Sequence, residues 1–127
     1  MPNVKVLNDG SCVAAADYSA AANQWLFVRL TGDRLVTKGV TTEGDAVYGI
    51  LQNLPETNQA AEVALLGISQ LQVAAPVTAG MRLMSTTGGL GKAATAAKYA
   101  GAIAREAGGT NEQVSVFIIP GSPPIPV

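Results

Sequence analysis

The stretch AGMRLM at residues 79–84 begins a series of three short apolar segments that occurs twice in this chain. Both series begin with Gly-x-Arg-Leu, and both pass through a polar turn that contains Thr-Asn. The spacing between the copies drifts by a few residues, which fits two copies of one β-unit, because loops absorb insertions at small entropic cost. The segments of the first copy are TGDRLV (31–36), AVYGIL (46–51) and AEVALLG (61–67), and those of the second are AGMRLM (79–84), YAGAIA (99–104) and VSVFII (114–119).

The composition predicts a protein that works in contact with partners. At 127 residues the chain is long enough for one domain, and only 5% of it is aromatic, so the core must be built from Val, Leu, Ile and Ala. Charged residues make up 13%, about half the usual quarter. A surface with so little charge exposes apolar patches of the kind that mark interaction sites, and we therefore expect an oligomer or a larger assembly.

The charge pattern and the lone cysteine exclude several classes of protein. The net charge is −1, and the Lys and Arg residues are scattered singly, whereas a nucleic-acid groove needs clustered cations. No signal peptide is recognisable at the first residues, and Cys12 has no second cysteine to pair with. No uncharged apolar run approaches the roughly 20 residues of a membrane span. We expect synthesis in a reducing cytoplasm, with no nucleic acid and no membrane as partner.

The first quarter of the chain predicts an arm followed by one strand. Residues 2–7 alternate weakly, which fits a short strand or an extended arm, and lead to Asn-Asp-Gly-Ser at 8–11, which is a strong turn signal. We expect residues 1 to about 11 to form an extended arm. Residues 12–23 are rich in Ala and fit a helix, a close-packed interface or an extended arm equally well. Residues 25–30 are rich in β-formers and predict a strand.

The first repeat predicts a hairpin and a long strand. Residues 35–40 and 46–51 read as two short strands joined by a glycine-containing turn. Residues 61–71 favour a strand over a helix because apolar and polar residues partly alternate there, and Gly67 is expected to be a bulge.

The second repeat predicts three strands and a proline-rich end. Residues 81–84 read as a strand, and a glycine-rich loop follows at 85–92. Gly101 interrupts the Ala-rich stretch 93–104, so its second half is expected to be β rather than helical. A turn then leads into a strand at 114–119, and the prolines after it predict an extended, PPII-like tail.

Short strands about every 10 to 15 residues, separated by glycine turns, predict an all-β fold, namely a small antiparallel barrel or sandwich with an internal pseudo-repeat, an extended N-terminal arm and a Pro-rich C-terminal tail. The whole chain, 1–127, is expected to be a single β domain. Its parts are an arm and Ala-rich segment (1–24), a β core (25–121) with repeat units at about 31–67 and 79–121, and a tail (122–127).

Nothing in the sequence predicts catalysis. The chain has no histidine, which removes the commonest general base and metal ligand. Without a base to take its proton, Cys12 is expected to be a small buried apolar residue. Asp33 and Asp45 stand beside turn glycines, where Asp usually bonds nearby backbone, and no run of carboxylates has the spacing of a Ca²⁺ loop. We therefore predict no enzyme, no catalytic residue, no cofactor and no metal.

Two further motifs have plain structural explanations. Gly88-Gly89-Leu90-Gly91-Lys92 ends in Gly-Lys, but Ala93 stands where a phosphate loop needs Ser or Thr, so a solvated hairpin loop is expected. Tyr48 and Tyr99 could stack on a ligand, but their matching places in the repeat favour a structural role.

The order of these segments resembles a family of tailed-bacteriophage capsid decoration, or cement, proteins. The residues that carry the resemblance are YGILQN (48–53), VTAGMRLMS (77–85) and EQVSVFIIPG (112–121). The individual motifs are mostly turn chemistry, and their order over about 90 residues is what makes the resemblance specific.

The resemblance implies a β-rich virion protein that binds the outer capsid surface at local symmetry axes, often as a homotrimer, and stabilises the shell. Its partners would be the major capsid protein and other copies of itself. Alternatives are another virion β-component (spike, fibre or tail) and a small ligand-binding β-barrel. The residues predicted to contact the capsid or a neighbouring subunit lie at the two ends of the chain: Pro2, Asn3, Val4, Lys5, Val6, Leu7, Pro123, Pro124 and Ile125.

Overall fold

The computed structural model describes residues 6–119, which form a β protein with one short 3₁₀ helix at Ala21–Asn23. The all-β prediction is confirmed. The strands are β1 (Val6–Ala14), β2 (Phe27–Gly32), β3 (Leu35–Lys38), β4 (Gly49–Leu51), β5 (Ala60–Gln72), β6 (Arg82–Ser85), β7 (Gly91–Ala93), β8 (Ala102–Ala104) and β9 (Gln113–Ile118).

All of these strands belong to one mixed sheet that closes on itself. Its order is β1-β3-β2-β4-β5-β9-β8-β6-β7, and β1 also pairs with β5, which closes a ring of five strands. An odd-numbered ring cannot alternate direction all the way round, and the pair β1–β3 is accordingly parallel. The other four strands meet β5 in the same way, because the isolated bridge that joins Val73, just after β5, to Gly91 of β7 is also parallel.

The pairing order contains a repeat. Strands β2 to β5 are arranged as β3-β2-β4-β5, and β6 to β9 as β7-β6-β8-β9, with β5 and β9 joining the two units. The registers correspond as well. Ile50 of β4 pairs with Ala64 of β5, and in the second unit Ile103 of β8 pairs with Phe117 of β9. In this correspondence β6 matches β2, so the Gly-x-Arg-Leu motifs, which lead into β3 and β6, do not mark equivalent strands.

Two hydrophobic cores lie side by side and share their central strands. One contains Phe27, Ile50 and Ala64, and the other contains their neighbours Val28, Leu51 and Val63. Successive side chains on a strand point to opposite faces. The start of β2, the whole of β4 and the Val63–Ala64 pair of β5 are therefore buried on both faces, which explains why these stretches are continuously apolar.

The predicted turn at residues 8–11 is wrong, and residues 6–11 of the predicted arm belong to a strand, while residues 1–5 lie outside the described residues. Residues 6–14 are all part of β1, which pairs with β5 and carries register shifts between Leu7 and Asn8 and between Asp9 and Cys12. The Asp-Gly pair thus forms an irregularity inside a strand. Its turn chemistry is used locally, because Asp9 Oδ1 accepts the backbone N–H of Ser11 at 2.8 Å.

The predicted hairpin of residues 35–40 with 46–51 is also wrong. β3 and β4 do not pair with each other, because β2 lies between them and pairs with both. The strand predicted at 61–71 is confirmed, but Gly67 is not its bulge; the register skips Leu65 instead. Gly67 has a φ of 113° and is the residue of β5 that pairs with both β1 and β9, one on each edge.

The remaining strand predictions are confirmed. They correspond to β2, β3, β6, the β8 half of the Ala-rich stretch, and β9. The stretch 12–23, for which three conformations were open, finishes β1 and then runs irregularly into the 3₁₀ helix.

Candidate interaction surface

An apolar patch lies on the outer face of the sheet where β1, β5, β9 and β8 meet. Leu7 pairs with Leu66, and Phe117 pairs with both Ile68 and Ile103, so strand register brings these side chains together. Leu7 is 59% exposed, Leu66 44% and Phe117 42%. These five residues are called the outer apolar patch below. Large apolar side chains exposed side by side mark an interaction site.

Both ends of the described chain lie beside this patch. Val6 and Ile118 pair with the same residue, Gly67, from opposite edges of β5. The segments before Val6 and after Ile118 are therefore attached to the sheet at neighbouring points. Of the predicted contact residues, Val6 and Leu7 belong to β1, and Leu7 is part of the patch. The others, Pro2, Asn3, Val4, Lys5, Pro123, Pro124 and Ile125, lie outside the described residues.

Sequence reasoning missed the rest of the patch. The available signal was the burial pattern expected of β9, where Phe117 falls on the outward positions of a strand that alternates between inward and outward residues. A large aromatic residue at such a position indicates a contact face.

A groove of about 400 Å³ adjoins the patch. Ile68 belongs to both, and register places Gln70 opposite Ser115 at the groove floor. Most of its lining residues are of polar types, unlike those of the patch. Its lining residues, called the polar groove below, are Trp25, Gln52, Ile68, Ser69, Gln70, Arg105 and Ser115.

Hydrogen bonds hold the polar groove in shape. Gln52 Nε2 donates to Ser69 Oγ at 3.0 Å and to the carbonyl of Ile50 at 3.1 Å. Arg105 Nη1 donates to Ser115 Oγ at 2.8 Å, and the backbone N–H of Arg105 donates to the carbonyl of Ser115 at the same distance. These bonds fix the side chains of Gln52 and Arg105 within the groove lining.

Asp9 is the centre of a second polar cluster, at the irregular part of β1. Its carboxylate accepts hydrogen bonds from the Ser11 hydroxyl at 2.6 Å and from the Tyr48 hydroxyl at 2.6 Å, which lower the pKa of Asp9 well below its usual range. The same contact raises the pKa of Tyr48 to about 12. This cluster ties β1 to the chain just before β4, and Tyr48 thus has a structural role.

Cys12 is buried, as predicted, with 1% of its surface exposed. Burial, followed by the nearby Asp9 carboxylate, raises the pKa of the Cys12 thiol to about 11. A thiol with this pKa stays protonated at neutral pH and is a poor nucleophile.

The glycine-rich loop is a hairpin loop between β6 and β7. Lys92 Nζ lies 3.3 Å from Glu43 Oε1, and because both side chains are more than a third exposed the pair adds about 0–1 kcal/mol to stability.

Tyr48 and Tyr99 do not occupy matching places in the repeat. The strand registers make Gly101, and not Tyr99, the residue of the second unit that is equivalent to Tyr48.

No group of three or more His, Cys, Asp or Glu side chains within residues 6–119 is placed to hold a metal ion. Over the same residues, no helix is long and apolar enough to cross a membrane.

Comparison with known proteins gives a similarity in fold. No protein-family model and no curated protein matches the sequence. Among solved structures, the chain is similar to the N base of the head fibre protein gp8.5 of bacteriophage phi29, with a TM-score of 0.65. The fold is shared. The match covers 92% of this chain and 95% of the other at 12% identity, so it extends to nearly all of both chains but only at the level of the fold.

Proposed function

We propose that this chain is a structural component of a tailed-phage particle and sits on the outer surface of the head. The observation that carries the proposal is the fold similarity to a head fibre base over almost the full length of both chains. The order of segments that resembles capsid decoration proteins agrees with a place on the phage head.

The outer apolar patch is the proposed contact surface. Leu7, Leu66 and Phe117 are large, uncharged and exposed together, so covering them with another protein removes apolar surface from water. The chain ends attached beside Gly67 would extend the same contact. Many weak contacts of this kind become strong when many copies bind one shell.

Two roles fit a head-surface component. In one, the chain is a decoration protein that binds the major capsid protein as a homotrimer and stabilises the shell. In the other, it is the base that attaches a fibre to the head, which the name of the similar structure favours. A cryo-EM map of the particle distinguishes them, because a fibre base continues into density that projects from the head.

Binding to heads tests the proposal directly. Purified chain is mixed with heads that lack it, and the mixture is separated on a density gradient. We expect the chain to sediment with the heads and to saturate at a fixed number of copies. The double variant Leu66→Ser, Phe117→Ser should bind at least about tenfold more weakly, which corresponds to about 1.4 kcal/mol.

Leu30→Ser is the matched control, because Leu30 is 47% exposed but lies outside the patch, on β2. It should bind like the unaltered chain. Circular dichroism establishes that all variants are folded. A chain that stays at the top of the gradient with heads in excess, or a double variant that binds as well as the control, would count against the proposal.

A further inference from the structure

We propose that the polar groove is a binding site for an oligosaccharide. This inference goes beyond a structural role on the head and does not depend on it. It rests on Trp25, Gln52, Gln70, Arg105 and Ser115, which come from distant parts of the sequence and line one groove. The groove volume of about 400 Å³ falls in the range of small-ligand sites, about 300–1,000 Å³.

Trp25 has an unusual backbone conformation at this site. Its φ is 66°, in the left-handed region that bulky residues rarely adopt. Two hydrogen bonds keep it there: its N–H donates to the carbonyl of Leu51, and its own carbonyl accepts from the N–H of Gln72, both at 2.9 Å. Strain that the surrounding structure maintains is found preferentially at ligand sites. Here it places a half-buried Trp at the groove wall.

The groove also offers hydrogen-bonding groups that the fold itself does not use. Within residues 6–119 the side-chain amide of Gln70 and the indole N–H of Trp25 bond no other group, and Gln52 uses only its Nε2. Buried side-chain nitrogens and oxygens in this part of the chain all have partners, so the unused groups are in contact with solvent. They are available to a ligand.

The chemistry of the lining favours a saccharide over other ligands. A sugar ring has a C–H face that packs on an indole, and its hydroxyls both donate and accept hydrogen bonds, as amide and Ser side chains do. A nucleotide or polyphosphate needs several cations, whereas Arg105 is the one cation among the lining residues. A proline-rich peptide needs a groove lined by several aromatic residues, and Trp25 is the one aromatic here.

Trp25 provides the signal for the experiment, because it is the only Trp in the 127-residue chain. The full chain is first screened on an array of bacterial surface polysaccharides. It is then titrated with the soluble tetrasaccharides of glucose, galactose and N-acetylglucosamine and with fragments of any polysaccharide that bound, while the fluorescence is recorded. We expect a saturable change in emission with at least one of them, at a Kd of about 1 mM or tighter.

Paired variants separate the groove from the rest of the surface. Gln70→Ala with Arg105→Ala should weaken binding at least about tenfold. Gln113→Ala with Arg82→Ala removes the same two residue types at exposed positions outside the groove and should leave the Kd unchanged. Both double variants change surface residues, and thermal unfolding verifies that they fold.

The proposal is overturned if no saccharide binds at this affinity, or if the groove variant binds as tightly as the control. The proposal is also overturned if a proline-rich peptide or a nucleotide binds and no saccharide does. Head binding by the same preparations is measured in parallel. Failure of the saccharide proposal can then be distinguished from failure of the proposed function.

Discussion

Individual residues decide how the irregular β1 strand is held. Asp9 is the acceptor for two residues of its own strand, Ser11 and Cys12, and for Tyr48, which comes from a different part of the chain. Since the acceptor is a carboxylate, these are charge-assisted bonds that need the ionised form. The stability that they provide therefore depends on pH.

Replacing Asp9 with Asn should lower the urea midpoint of unfolding at pH 7. The folded pKa of Asp9 lies below its ordinary value of 3.8, so its contribution is complete above that value and is lost as the pH falls through the folded pKa. The difference between the unaltered chain and Asp9→Asn should therefore shrink as the pH falls below about 4. Urea titrations at a series of pH values measure it.

Asp33→Asn is the control for this experiment, because Asp33 is an exposed carboxylate in the turn between β2 and β3. It should change the midpoint little at any pH. A destabilisation by Asp9→Asn that stays constant between pH 7 and pH 2 would show that the hydrogen-bonded charge is not the cause.

Gly39 is a residue whose missing side chain matters for packing. It follows β3 with a φ of 71°, and a Cβ there would overlap the backbone carbonyl of Thr87 in the β6–β7 loop. Gly80 has a similar φ of 87°, but a Cβ there would meet nothing within 4 Å. We expect Gly80→Ala to cost about 1 kcal/mol from the backbone alone and Gly39→Ala to cost more than about 2 kcal/mol. Chemical denaturation measures both, and equal costs would contradict this view of the junction.

At the scale of elements, strands differ in whether one or both of their faces are buried. In β4, Ile50 and Leu51 are both fully buried, in different cores. In β9, Ile118 is 2% exposed but its neighbour Phe117 is 42% exposed. Adjacent substitutions should therefore have similar effects in β4 and very different effects in β9.

Alanine substitutions test this difference. Ile50→Ala and Leu51→Ala should each lower the free energy of unfolding by about 2–5 kcal/mol, and so should Ile118→Ala. Phe117→Ala should cost about 1 kcal/mol or less, because its side chain is already partly in water. Equilibrium unfolding in urea gives all four values. A large loss for Phe117→Ala, or a negligible loss for either β4 variant, would mean that the faces are assigned wrongly.

The sequence predicts the strands better than it predicts their partners. β-formers and glycine turns located β2, β5 and β9, because these signals are local. β3 pairs with β2 and not with β4, because β2 lies between them in the sheet. No local sequence pattern encodes that order. The misread turn at residues 8–11 has the same origin, since Asp-Gly bends a chain equally well in a loop and inside an irregular strand.

The candidate surfaces could be predicted only in part for a related reason. Leu7 was identified from its place near the chain end, whereas Phe117 and Leu66 meet it only through the pairing of β1, β5 and β9. The polar groove is harder still, because Trp25 and Arg105 are brought together by a sheet order that the sequence does not reveal. Composition did predict that some exposed apolar surface must exist.

At the scale of the whole molecule, ring closure determines which contacts are open to a partner. A free strand edge is the usual place for another chain to add a strand. Here the pairing of β1 with β5 closes one ring, and at the other end of the strand order β7 is only three residues long and is bridged to Val73. β1 pairs with β3 only at Val13 and Ala14, so among the described residues a partner could use the rest of that edge or the sheet face, where the outer apolar patch lies.

An association that buries the outer apolar patch should be insensitive to salt. Its five residues carry no charge, and screening acts on charge pairs, with a Debye length of only about 3 Å at 1 M salt. Hydrophobic burial weakens on cooling instead. Complexes of this chain, with itself or with heads, should therefore persist from about 0.1 M to 1 M NaCl at room temperature and loosen near 4 °C, as measured by analytical ultracentrifugation.

Because Leu7 belongs to the patch, Leu7→Ser should release the complexes at both salt concentrations while Leu30→Ser does not. Complexes that dissociate as salt is raised would instead place the contact on the few charged side chains of the surface, and the patch would then need another explanation.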